Sequence, residues 1–315
     1  MKVSGQKILV TGAAGFIGSH VAEILVHCGA RVTLLDRTFE KENVWPADLA
    51  DSFRTIEMDI RKDSFGTHLI TEQYAAIVHL AGPASVLLSV KEPYSDFENS
   101  LLTTMKLLET LRTKCKETRL IVASSAAVYG NPVSLPTSET DPAYPISPYG
   151  VAKLSTERYA AVYSQLYGLH IASLRFFSLY GPGQRKMLIY DLMSRLSEQS
   201  DRLTLIGSGK ETRDFIFIKD AARAVITVLE SGAMAGEVYN VAAGTSYTTL
   251  EVARIVARAM GMDPDIDFTG QGRDGDPIKW QANIEKIHRL GFELEFNLSQ
   301  GIEETVHWYQ APPLS

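Results

Sequence analysis

Short apolar runs alternate with longer stretches of helical periodicity through the first half of the chain. "KILVT" (7–11), "RVTLLD" (31–36), "RTIEMD" (54–59), "AAIVHLAG" (75–82), "RLIVASS" (119–125) and "IASLRFF" (171–177) have the length and composition of strands. Between them, "GFIGSHVAEILVHCG" (15–29), "DFENSLLTTMKLLETLR" (96–112) and "YGVAKLSTERYAAVYSQLYG" (149–168) repeat apolar residues at three- and four-residue intervals, which predicts helices. Strands that are apolar on both faces, joined through helices, predict a parallel sheet covered on both sides. The fold class is therefore α/β, a doubly wound Rossmann sheet.

After residue 178 the alternation breaks. "GPGQ" (181–184) reads as a turn, followed by a helix, a short strand "RLTLIG" (202–207) and a stretch "RDFIFIKDAARAVITVLE" (213–230). "GEVYNVAAG" (236–244) reads as a strand, "TLEVARIVARAMG" (249–261) as a helix, "GQGRDGDP" (270–277) as a loop and "LSQGIEETVHWYQ" as a last helix. Residues 1–177 thus form a dinucleotide-binding domain to which 236–244 returns, and 178–315 a smaller mixed α/β substrate domain.

Composition narrows the partners. A net charge of −6 over 315 residues gives no surplus for binding nucleic acid or anionic lipid. No apolar stretch is long enough to predict a membrane span, and "MKVSGQKILV" has no leader-like apolar region. A cytoplasmic setting is expected. The two cysteines, Cys28 and Cys115, predict neither a disulfide framework nor a metal site.

Candidate chemistry starts at "VTGAAGFIG", which places Gly12, Gly15 and Gly18 between the first strand and first helix. Glycines there allow a tight turn and let a pyrophosphate approach backbone N–H groups at a helix N-terminus. Asp36 ends the second strand 18 residues after Gly18, where a carboxylate bonds a ribose 2′-hydroxyl. Its charge opposes a 2′-phosphate and favours NAD, while Arg37 beside it keeps NADP open.

A second cluster lies further on. Tyr149 and Lys153 are spaced one helical turn apart, and "SSAAVYG" ends a strand at Ser125. A hydroxyl, a phenol and an ammonium on neighbouring elements form a proton-transfer set, in which the ammonium is expected to lower the phenol pKa. Ser124 faces the other way and reads as structural, His79 as a packed core histidine, and Asp220 as the N-cap of the helix after 220.

The glycine loop, the Ser–Tyr-x-x-x-Lys set, "HLAG", "RFFSLYGPGQ" and "RDFIFIKD" together resemble the extended short-chain dehydrogenase/reductases, and within them the sugar-nucleotide epimerase/dehydratase branch. The resemblance implies that Tyr149 is the acid/base, that Ser125 orients the substrate oxygen, that Lys153 bonds the nicotinamide ribose and that Asn99 completes the catalytic set. It implies cofactor contacts from Phe16 and Ile17 in the glycine loop, from Asp59 and Ile60, from Leu80, Ala81 and Gly82, and from Phe177, which serves equally well as core. Substrate contacts fall on Ser85, on Ser178 (where the family has Asn), on Arg213 and Arg273 as a diphosphate clamp, on Asp276 and on Trp280. The bulk of Trp280 argues against N-acetylhexosamines.

Ala126 and Ala127 stand where the family's dehydratases carry acidic residues, so elimination of water is disfavoured. The resemblance then implies an NAD-dependent epimerase of a nucleotide-diphosphate sugar, most simply at C4 of a UDP-hexose through a 4-keto intermediate. A 4-ketosugar nucleotide reductase using exchangeable NAD(P)H is the alternative, and a non-catalytic dinucleotide-sensing protein a remote one. A homodimer is expected through the helices at 96–112 and 149–168, with Leu101, Leu108, Ala160 and Tyr163 as candidate outer residues.

Overall fold

A computed structural model describes residues 1–39, 49, 52–199, 201–270 and 279–311. Seven parallel strands form the main sheet in the order β10-β6-β5-β4-β1-β2-β3. They are β1 (Lys7–Thr11), β2 (Arg31–Asp36), β3 (Phe53–Glu57), β4 (Ala76–His79), β5 (Arg119–Ser125), β6 (Ile171–Phe176) and β10 (Ala235–Val241). The inner strands are buried almost throughout, all six residues of β6 among them, because helices cover both faces. On one side α1 (Phe16–His27) packs against α8 (Ile218–Ser231); on the other lie α2 (Asp63–Glu72), α5 (Leu101–Lys114) and α6 (Pro148–Tyr167). A single turn, α10 (Glu285–His288), lies against β10.

Three strands form a second sheet in the order β11-β9-β7, made of β7 (Ser178–Tyr180), β9 (Thr212–Phe217) and β11 (Ser246–Thr248). β8 (Arg202–Leu205) pairs with β12 (Asp265–Phe268). A second core gathers there around Leu192, Met193, Leu203, Phe217, Val252 and Ile302. It is contributed in part by α7 (Met187–Glu198), α9 (Thr249–Ala259) and α11 (Leu298–Gln310). No helix is long and apolar enough to cross a membrane among the described residues.

Local chemistry sets the element ends. α6 opens with Ser147 accepting from the Gly150 N–H and with Pro148 in its first turn, and closes at Gly168 with φ 71°. α9 opens on a capping box between Thr248 and Glu251.

Four departures from the sequence reading have physical causes. The helix expected over 96–112 is two helices, α4 (Pro93–Asn99) and α5, broken at buried Ser100 with φ −111° and ψ −79°. The Thr103 and Thr104 hydroxyls both donate to the Ser100 carbonyl, which offers the backbone a partner outside the helical ladder. A further helix, α3 (Val86–Lys91), carries no sequence signal because Leu87, Leu88 and Val90 point to solvent and leave no apolar stripe facing a core. Asp220 is not an N-cap, because α8 starts at Ile218; its buried carboxylate accepts from the Glu295 and Phe296 N–H groups and pairs with Arg223. Leu108, Ala160 and Tyr163 are buried within the chain and Leu101 is half-buried, so they do not form an outer face.

Candidate active site

The turn from β1 into α1 is built from absent side chains. A Cβ on Gly12, whose φ is 71°, would stand 2.6 Å from the Ala81 nitrogen; one on Gly18 would stand 2.2 Å from the Gly12 carbonyl oxygen. Gly15 is the N-cap of α1 and gives it no side-chain cap, so the first-turn N–H groups remain available to an anion. Asp36, half-buried at the end of β2, accepts from the Ala14 N–H at 3.0 Å and the Arg37 N–H at 2.8 Å, which ties the loop to the strand. Phe16 and Ile17 turn their side chains toward the second core, leaving their backbone for the loop.

A cavity of about 430 Å³ opens over this turn. Gly12, Gly15, Asp36 and Arg37 line one part, Asp59 and Ile60 another, and Leu80, Ala81, Gly82 and Asn99 the far wall. Asp59 is gripped by Arg61, with Nη2 at 2.6 Å, and this hydrogen bond holds its carboxyl down to about 2. Arg61 also lines the cavity, as does Asp96 of α4. Neither stands out in the sequence, since nothing in their local spacing marks them.

Ser125, Tyr149 and Lys153 do not line this cavity themselves but converge behind its wall, where the Tyr149 N–H donates to the lining Ser89. Lys153 Nζ lies 5.6 Å from the centre of the Tyr149 ring and donates to the Ala123 carbonyl at 3.0 Å. Ser125 Oγ accepts from the Ala127 N–H at 3.2 Å. Burial pushes the Tyr149 phenol up to about 12; a hydrogen bond with Ser125 pulls it back and the Asp96 charge adds to the rise. Burial draws the Lys153 ammonium down to about 8, against the attraction of Asp96 and Glu157. The phenol is thus raised by burial, and its one lowering partner among the described residues is Ser125, not Lys153 as expected.

Around this set lie groups that hold it. Ser124 points away from Ser125, and its hydroxyl donates to Glu157, which also takes two bonds from Arg175 at 2.9 and 2.7 Å. His79 is buried between the Thr11 and Thr104 hydroxyls, and desolvation lowers it to about 3, so the ring is neutral. Asn99 turns its amide nitrogen back to the Ser95 carbonyl at 2.8 Å. Ser85 caps α3 by accepting from the Leu88 N–H.

On the side of the second sheet, Phe177 is 5% exposed and packs between Tyr129 and Trp280, its ring 6.1 Å from the indole. The Arg213 guanidinium lies 5.3 Å over Trp280, whose indole N–H donates to the Gly130 carbonyl. Ser178 opens β7 opposite Phe215. Asp214 is fully buried, and its carboxylate accepts from the Ala243, Gly244 and Ala282 N–H groups at 2.8 to 3.0 Å. Arg273 and Asp276 lie outside the described residues.

The loop, the uncapped helix start and the two carboxylates fit an adenine dinucleotide. Beside them stands a hydroxyl–phenol–ammonium set, which defines a dinucleotide-dependent enzyme that moves protons at a hydroxyl or carbonyl. Residues 8–242 match the NAD dependent epimerase/dehydratase family, and the chain belongs to that family. It is 32% identical to a UDP-glucose 4-epimerase of Mycolicibacterium smegmatis, covering 97% of this chain and 99% of that one. Among solved structures it is similar to the Thermus thermophilus UDP-glucose 4-epimerase in complex with NAD (33% identity, TM-score 0.87, 97% and 100% of the two chains). It is also similar to a UDP-N-acetylglucosamine 4-epimerase of Methanobrevibacter ruminantium M1 (30% identity, TM-score 0.89, 97% and 98%).

Proposed function

We propose that this chain inverts C4 of a UDP-hexose with NAD held in the cavity over the glycine loop. The observation that carries the reading is the convergence of Ser125, Tyr149 and Lys153 behind the wall of that cavity. Bound NAD would supply the hydride acceptor and donor, and the positive charge that a phenol at about 12 needs before it can act as a base near neutrality. Tyr149 Oη takes the proton of the sugar hydroxyl and later returns it, while Ser125 Oγ bonds the same oxygen. Lys153 holds a ribose hydroxyl and keeps a positive charge beside the phenol ring. Asp36 selects the unphosphorylated ribose, because its charge repels a 2′-phosphate.

Residues 1–177 with 236–244 hold the dinucleotide in this reading, and 178–315 the sugar nucleotide. Arg213, stacked on Trp280, grips the diphosphate together with Arg273, so the hexose turns about fixed phosphates. Ala126 and Ala127 carry only methyl groups and transfer no proton, which supports epimerisation over elimination of water.

The test is NMR of the purified protein with UDP-glucose, UDP-xylose and UDP-glucuronate and no added cofactor. A C4 epimer supports both the reaction and retained NAD; no turnover sinks the UDP-hexose reading and leaves a 4-keto substrate. Trp280→Cys should open the pocket to UDP-N-acetylglucosamine, and a variant that gains no such activity counts against the size filter.

A further inference from the structure

Each donor in the first turn of α6 has a partner, and one of those partners comes from a distant part of the chain. Pro148 carries no N–H, Gly150 donates to the Ser147 hydroxyl at 3.2 Å, and Val151 donates to the Ser147 carbonyl at 3.0 Å. The remaining N–H belongs to Tyr149. It donates at 3.1 Å to Ser89 Oγ, 60 residues away on α3. A helix start is ordinarily capped from its own sequence; here the tyrosine assigned the proton transfer is capped by another helix.

Ser89 is suited to that bond. It is 1% exposed, whereas Leu87, Leu88 and Val90 on the same helix are 56 to 58% exposed. α3 is therefore tied to α6 by a hydroxyl where most surface helices use an apolar stripe. The Ser89 proton goes to the Val86 carbonyl at 2.7 Å, which leaves an oxygen lone pair for the Tyr149 N–H. Ser89 and Leu88 line the cavity over the glycine loop. One hydroxyl thus joins the wall of that cavity to the backbone of the residue behind it.

We propose that Ser89 is a positioning residue for Tyr149, its hydroxyl fixing the tyrosine backbone, and with it the reach of the phenol to Ser125, relative to the cavity wall. This rests on Tyr149 as the acid/base and not on the identity of the sugar. Without the hydroxyl the Tyr149 N–H loses its acceptor. The first turn can then satisfy it only by shifting, which draws the phenol off Ser125.

Two readouts on the full NAD-loaded protein test this. Hydrogen exchange followed by mass spectrometry over residues 147–152 should show one slow amide fewer in Ser89→Ala than in wild type. Ser89→Thr, which keeps a hydroxyl, should restore it. With UDP-glucose as substrate, Ser89→Ala should lower kcat about tenfold, the order of one unsatisfied hydrogen bond, with KM within about twofold and NAD content unchanged. The acid limb of its pH–rate profile should move to higher pH, because a phenol with a weaker bond to Ser125 holds its proton longer. Ser89→Thr should recover most of kcat. Unchanged exchange in Ser89→Ala, or unchanged kcat and profile, overturns the proposal. So does a variant that loses NAD, substrate affinity and melting temperature together while its pH profile stays in place, since Ser89 would then serve only the fold. If wild type turns over no UDP-sugar, the UDP-hexose reading falls and the exchange comparison alone decides whether Ser89 holds Tyr149.

Discussion

Single side chains set the protonation chemistry here, and burial dominates it. The Tyr149 phenol, pushed up to about 12, stays protonated near neutrality unless a positive charge is delivered beside it. Removing only the phenolic oxygen should therefore stop turnover while leaving the pocket intact. Tyr149→Phe is expected to lose about 10²–10⁴-fold in turnover number, the usual worth of a positioned acid/base, with NAD content unchanged by absorbance after acid release. Asp214 supports a second expectation. Desolvation raises its carboxyl from the ordinary 3.8 to about 7, and the Ala282, Ala243 and Gly244 N–H groups pull it partway back. Between these two values the folded protein holds a proton that the unfolded chain has released. The contribution of Asp214 to stability is thus full below about pH 3.8 and declines as pH rises to 7. Urea melts of wild type and Asp214→Asn should show the wild type's advantage smaller at pH 8 than at pH 5; a constant difference would show that Asp214 does not titrate in that window.

Elements are tied to one another by a buried charge pair. Arg175 on β6 and Glu157 on α6 have side chains 4% and 2% exposed and pair at 2.7 Å, and Ser124 on β5 donates to the same carboxylate. This fixes the end of β5, and so Ser125, against the helix that carries Tyr149 and Lys153. Removing one partner strands the other charge. Glu157→Gln is expected to cost about 3–5 kcal/mol in denaturant unfolding, and the double variant Glu157→Leu with Arg175→Met to recover much of it. The strands of the main sheet are readable because their apolar runs are continuous, and the glycine loop and the Tyr–Lys pair because their chemistry is set by local spacing. The break at Ser100 is not, since the apolar period runs through it unchanged. Asp96 and Arg61 are equally silent, because their places on the cavity wall arise from where α4 and the segment after β3 come to rest in space.

Across the whole molecule, α6 has an apolar stripe that nothing among the described residues covers. Val151, Tyr159, Val162 and Leu166 are 43 to 66% exposed, and Tyr94 and Phe97 of α4 are exposed as well. Contiguous exposed apolar groups on an otherwise ordinary surface mark an interaction site, and a second copy of this chain would bring a matching stripe about a two-fold axis. In that reading Leu166→Glu shifts the protein to a monomer in light scattering at micromolar concentration; wild-type protein already monomeric there removes the dimer. Tyr149 and Lys153 sit at the opposite end of the same helix from Leu166, so a charge at 166 leaves their geometry in place.

The sides of α6 are also differently occupied. Its first turns present Tyr149 and Lys153, its inner side carries Glu157 and Ala160 into the core, and its outer side carries the stripe. An ordinary surface helix has a solvent side where substitutions drift freely, and α9, with Val252, Ala253, Val256 and Ala257 buried and Glu251, Arg254 and Arg258 exposed, is of that kind. With its stripe covered by a second copy, α6 would have little such neutral ground. Mutational scanning should find a period near 3.6 residues in the tolerance of α9 and a nearly flat, intolerant profile along α6. Change in this chain would then accumulate around that helix far more readily than within it.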